Sequence, residues 1–86
     1  MKVTEIKIRK TFKEGSICAL VSITLDDSIA IHDIRIIKSP ERMFIAMPHR
    51  KGDDNMYRDI VHPIDVSTRA EIEGAVLQAY NDLKHV

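Results

Sequence analysis

Two apolar strands in immediate succession constrain this chain more than anything else in it. From Ile17 to Asp26, residues Ile17, Ala19, Val21, Ile23 and Leu25 share one face, and Cys18, Leu20, Ser22, Thr24 and Asp26 share the other. The short polar link Asp26-Asp27-Ser28 favours a hairpin into Ile29 to Lys38. In that second strand Ala30, His32, Ile34 and Ile36 alternate with Ile29, Ile31, Asp33, Arg35 and Ile37. Apolar residues on both faces predict a central strand covered, at least in part, on both sides.

The remaining segments assemble around that hairpin. Val3 to Arg9 reads as a strand with Ile6 and Ile8 two apart, followed by a Lys13-Glu14-Gly15-Ser16 turn in which Gly15 is free to take positive φ. Ser39-Pro40-Glu41 breaks the chain before a short strand, Met43 to Met47, which Pro48 ends. His49 to Met56 reads as a polar loop, and Tyr57 to His62 as a last strand stopped by Pro63. Thr68-Arg69-Ala70-Glu71 matches a helix capping box, with Ser67 as an alternative cap. Ile72, Ala75, Val76, Ala79, Tyr80 and Leu83 then form one apolar stripe at the helical period, with Leu77 off it. Gly74, unfavourable inside a helix, suggests a close backbone approach. The expected architecture is α+β: a mostly antiparallel sheet of about five strands with one C-terminal amphipathic helix packed on it.

At 86 residues the chain is a single domain, residues 1–86. No apolar run nears the roughly 20 residues that a membrane helix needs, and the charged start does not read as a signal peptide. The lone Cys18 excludes an internal disulfide and fits a reducing cytoplasm. It has no basic neighbour in sequence to lower its pKa, which favours a buried, inert thiol. Small single cores rarely supply more than about 3–5 kcal/mol. A dimeric assembly is therefore expected as a source of further buried area.

Little in the sequence points to catalysis. His32, His49, His62 and His85 offer no closely spaced ligand pair, so no metal site is expected. His32 reads as partly buried, His49 and His85 as solvated, and His62 as extended because Pro63 follows it. There is no nucleophile elbow, phosphate-cradling glycine loop or paired-carboxylate motif. Neighbouring His32 and Asp33, or Arg58 and Asp59, point to opposite faces of a strand. No enzyme, small-molecule substrate or cofactor is expected.

Charge distribution says more than the zero net charge. Residues 1–14 hold five basic and two acidic groups, and residues 35–51 hold five basic groups and one acidic. Such segments can neutralise phosphates if they converge in space. His49-Arg50-Lys51 lies at the tip of the polar loop, with Arg58 a few residues on; the bland alternative is a solvated connection. Arg69 in the first helical turn opposes the helix dipole, although an ion pair with Asp65 or Glu73 accounts for it nearly as well. Phe12, Phe44, Tyr57 and Tyr80 are dispersed, so no stacking platform is legible. With one helix expected, there is no helix-turn-helix.

Several blocks together resemble the stage V sporulation protein G (SpoVG) family. They are Met1-Lys2-Val3-Thr4-Glu5-Ile6, Ser22-Ile23-Thr24-Leu25-Asp26, Ile31-His32-Asp33-Ile34-Arg35-Ile36-Ile37, Phe44-Ile45-Ala46-Met47-Pro48, and Tyr57-Arg58-Asp59-Ile60-Val61-His62-Pro63-Ile64 followed by Ser67-Thr68-Arg69. The match is collinear from Met1 to about Tyr80. The resemblance implies a small cytoplasmic bacterial regulator of sporulation and asymmetric septation, a non-enzymatic homodimer that binds DNA or RNA with site preference. Carried over residue by residue, it marks Arg50, Lys51, Arg58 and Arg69 as the nucleic-acid-binding positions. One departure is Gly52-Asp53-Asp54-Asn55, where the family usually has a Thr-Pro-Asp-Gly turn. The competing expectation is a protein–protein adaptor of the septation machinery, using exposed strand edges to accept a partner.

Overall fold

A computed structural model describes residues 2–84, leaving the expectation for His85 outside the described residues. The chain runs β1 (Val3–Thr11), β2 (Ile17–Leu25), β3 (Ile29–Lys38), β4 (Met43–Ala46), β5 (His49–Lys51), β6 (Tyr57–Asp59) and α1 (Val66–Lys84). Strands β1-β2-β3-β4 form an antiparallel sheet in that order, and β5-β6 form a separate two-stranded ribbon. The architecture is α+β as expected, with the strands divided between a four-stranded antiparallel sheet and a two-stranded ribbon. The segment read as a loop contains a strand, His49–Lys51, and the last strand ends at Asp59.

Turn chemistry sets the long hairpin. Asp26 and Asp27 both take positive φ, 50° and 53°, as a type I′ turn requires, and the Ser28 N–H donates to the Leu25 carbonyl at 2.9 Å. The Asp26 carboxylate also accepts from the Lys2 N–H (2.7 Å), which ties the start of β1 to this turn. Gly15 has φ 87°, so the β1–β2 turn uses the conformation only glycine adopts freely.

Strict alternation fails at two bulges in the β2–β3 pairing, with two further register shifts between β1 and β2. On β3, Ile34 pairs with Val21 and Ile31 with Ile23, so His32 and Asp33 together oppose Ser22. Asp33 takes φ 65° to make the bulge. Side chains that the alternation assigns to opposite faces thereby meet: Ile31, Ile34 and Ile36 all lie in the core. A second shift, at Cys18 on β2, turns that thiol into the core beside Ala19. His32 is exposed rather than partly buried, although its Nδ1 lies 2.9 Å from the Ser22 hydroxyl, which also accepts from Arg9 Nε (3.2 Å).

Helix α1 covers one face of the sheet. Ile72, Val76 and Tyr80 are buried from the expected stripe, whereas Leu83 is half exposed. Burial pushes the Tyr80 phenol up, with Cys18 beside it a lesser cause. The helix starts a turn earlier than the capping box implies. Asp65 is the cap: its carboxylate accepts the Thr68 N–H at 2.7 Å, and its carbonyl accepts the Arg69 N–H at 3.2 Å. Thr68 and Ser67 donate their hydroxyls to the same carboxylate. A Cβ at Gly74 would meet nothing within 4 Å, so no close approach explains that glycine.

The other face of the sheet is not covered by the helix. Pairing register places Lys10, Leu20, Arg35 and Ala46 in one row across it, and Ile17, Ile37 and Phe44 in the next.

Candidate nucleic-acid interface

Past β4 the chain leaves the sheet. Pro48 lacks the N–H a continuing ladder needs, and its carbonyl accepts the Ile60 N–H (2.7 Å) to close the base of the β5–β6 ribbon. His49 fixes the ribbon to the sheet. A backbone carbonyl only accepts, so His49 Nδ1 donates to the Met47 carbonyl (3.1 Å), leaving Nε2 to accept from Arg35 at 3.2 Å. The ring also meets Tyr57 edge-on, with centroids 5.5 Å apart. His49 is therefore partly buried and partnered, not solvated.

The ribbon's tip is well formed despite its unusual sequence. The Asn55 N–H donates to the Gly52 carbonyl (3.1 Å), and the Gly52 N–H to the Met56 carbonyl (2.9 Å). Asn55 takes φ 63°, a left-handed conformation that asparagine tolerates better than most residues. A Cβ at Gly52 would lie 2.8 Å from Arg58 Nη1 and 3.0 Å from Asp54 Oδ1, so a side chain there would push the Arg58–Asp54 pair aside.

This geometry brings three of the four candidate cations together. Arg50 stands directly opposite Arg58 in the ladder, on the same face, and Lys51 is opposite Tyr57. All three cations are exposed and line one open hollow with Asp53 and Asp59. Like charges directly opposite one another destabilise a strand pair. Asp54 relieves Arg58 with two contacts, 2.6 and 3.1 Å, and the hydrogen bond from Arg58 holds the Asp54 carboxyl below its ordinary value. Among the described residues, neither Arg50 nor Lys51 has a salt-bridge partner.

Arg69 lies elsewhere. Its guanidinium donates to the Ile45 carbonyl (3.3 Å), while Glu73, 3.9 Å from Arg69, accepts the Ile45 N–H at 3.4 Å. Two helix side chains thus satisfy the outer backbone groups of edge strand β4. Sequence reasoning had the Glu73 pairing as an alternative but not the strand-edge contact. Among the described residues no group of three His, Cys, Asp or Glu side chains could hold a metal ion. No helix is long and apolar enough to cross a membrane.

A family model for SpoVG matches residues 1–82. The chain belongs to the SpoVG family. Relatives whose names tie SpoVG to septation include a protein of Lachnospira eligens, 46% identical over 86 residues, covering 100% of this chain and 98% of the relative. One from Agathobacter rectalis is 50% identical over 80 residues, 93% of this chain and 92% of its own. A Staphylococcus aureus SpoVG protein is 44% identical over 86 residues, all of this chain and 86% of the relative. This SpoVG-family chain therefore spans most of each relative's length, and the ribbon with its facing arginines lies inside the matched region.

Proposed function

We propose that this SpoVG-family protein is a non-enzymatic, cytoplasmic, homodimeric regulator of sporulation and septation that binds nucleic acid through the β5–β6 ribbon. The observation that carries the reading is the Arg50–Arg58 pair, two arginines opposed across a ladder with Lys51 beside them. An arrangement that costs the free protein stability is offset when phosphate oxygens sit between the guanidinium groups. Arg69, engaged with the Ile45 carbonyl at the β4 edge, lies outside this contact set.

The homodimer is supported by exposed apolar residues in the β6–α1 link and at the first position of α1. Ile60 is 68%, Ile64 91% and Val66 86% exposed. A two-fold pairing through these residues would present the ribbon twice and double the cationic footprint.

The test is fluorescence anisotropy of a labelled duplex at several salt concentrations. The affinity should fall steeply with salt, and replacing Arg50, Lys51 and Arg58 by alanine should flatten the log K against log[salt] slope by about 0.9 per lost contact. A slope that the triple replacement leaves unchanged removes the ribbon from the site. Light scattering should give a dimer that Ile64→Asp converts to monomer. Absence of any nucleic-acid binding at low salt would favour the adaptor reading.

A further inference from the structure

The open face of the four-stranded sheet joins the two basic segments that are far apart in sequence. Lys10 on β1 and Arg35 on β3 flank Leu20 in one cross-strand row, about 10 Å apart by strand spacing. Arg9 lies at the same end of β1, and Arg42 immediately precedes β4. Among the described residues none of Arg9, Lys10, Arg35 and Arg42 has a carboxylate within salt-bridge distance. Glu5, on the same face, is already paired with Lys7 at 3.6 Å.

Aromatic rings accompany these cations. Lys10 Nζ lies 5.1 Å from the Phe12 ring centroid, and the Arg42 guanidinium 5.5 Å from that of Phe44. The two rings sit toward opposite edges of one sheet face, β1 and β4, with the apolar row Ile17–Ile37 between them. Phosphate recognition and base stacking are thus both offered on one open sheet face. The arrangement selects the ligand: an open sheet face carries no projecting helix or ribbon to enter a duplex groove, whereas an extended single strand can lie across it with bases on the rings. A second copy of this chain is a poor occupant, because two such faces would oppose like charges.

We infer that this sheet face is a binding platform for single-stranded nucleic acid. Phosphates are held by Lys10, Arg35 and Arg42, and bases stack on Phe12 and Phe44. The Arg35–His49 contact makes the platform continuous with the ribbon. The inference rests on the nucleic-acid reading above and adds a second surface with a different preference.

Anisotropy with a labelled mixed-sequence single strand and with a labelled duplex tests it, using Lys10→Ala/Arg42→Ala and, separately, Phe44→Leu. Thermal melts of each variant serve as the folding control. For the single strand, the double variant should flatten the salt slope by about 1.4, at about 0.7 per contact. Phe44→Leu should weaken single-strand binding about tenfold with the slope unchanged. Duplex binding, whose salt slope the ribbon variants should flatten, should be unaltered by both. Unchanged single-strand affinity in both variants, or an equal loss on duplex, overturns the platform. Wild-type protein that binds duplex but not single strand overturns it too while leaving the ribbon intact; binding to neither removes both readings.

Discussion

Arg58 is clamped by Asp54 through two contacts of 2.6 and 3.1 Å, while Arg50, directly across the ladder, has no such counter-ion among the described residues. On the proposed nucleic-acid reading, that carboxylate occupies the guanidinium face a phosphate oxygen would use. Asp54 would then compete with the ligand for the guanidinium it holds.

Asp54→Asn should therefore tighten nucleic-acid binding several-fold at low salt. Asparagine retains an oxygen to accept the Met56 N–H, which Asp54 does at 3.1 Å, so the turn survives while the charge is lost. An affinity equal to or below that of the parent would show that Asp54 orients Arg58 for its ligand instead of competing with it.

Arg69→Ala should leave the salt slope of binding unchanged and loosen the β4 edge. The Arg69 and Glu73 contacts to Ile45 are the ones at stake. Faster hydrogen exchange at the Ile45 amide in Arg69→Ala, and more so in Arg69→Ala/Glu73→Ala, is the expected readout. A slope flattened by Arg69→Ala would return this arginine to the interface.

Asp33 sits at φ 65° inside β3. A β-branched residue is poorly suited to that conformation, so Asp33→Val should cost about 1–2 kcal/mol. Asp33→Gly should be tolerated because glycine takes positive φ freely. Denaturant melts compare the two directly. Equal loss in both variants would mean that the carboxylate, not the backbone, matters here.

Asp65 caps the helix, and its hydrogen bonds from the Thr68 N–H, the Thr68 hydroxyl and the Ser67 hydroxyl hold its carboxyl below the ordinary value of 3.8. A depressed folded-state value means this contribution is present above pH 3.8 and is lost as the pH falls through the lower folded value. Asp65→Ala should lower the melting temperature by several degrees at neutral pH. At pH 2–3 the parent's advantage should shrink. A difference that persists undiminished in acid would rule out the charged cap as its source.

Much of this architecture was readable in the residues alone. Alternation marked β2 and β3, Asp26-Asp27 marked their turn, and the Ile72–Val76–Tyr80 spacing marked the buried side of α1, because each depends on neighbours a few positions away. Family resemblance marked Arg50, Lys51, Arg58 and Arg69 by position, of which the fold gathers the first three on the ribbon and places Arg69 at the β4 edge. What the residues could not supply depends on partners distant in sequence. The β3 bulge at Asp33 exists because Ile31, Ile34 and Ile36 must all reach a core built from other strands, and a one-residue slip is the way to turn them there. His49–Lys51 has no apolar alternation and becomes a strand only through β6. Arg69 acquires its role from an exposed backbone edge 24 residues earlier. The joining of Lys10, Arg35 and Phe44 on one face follows from strand order. Local chemistry determined the elements; pairing decided which side chains meet.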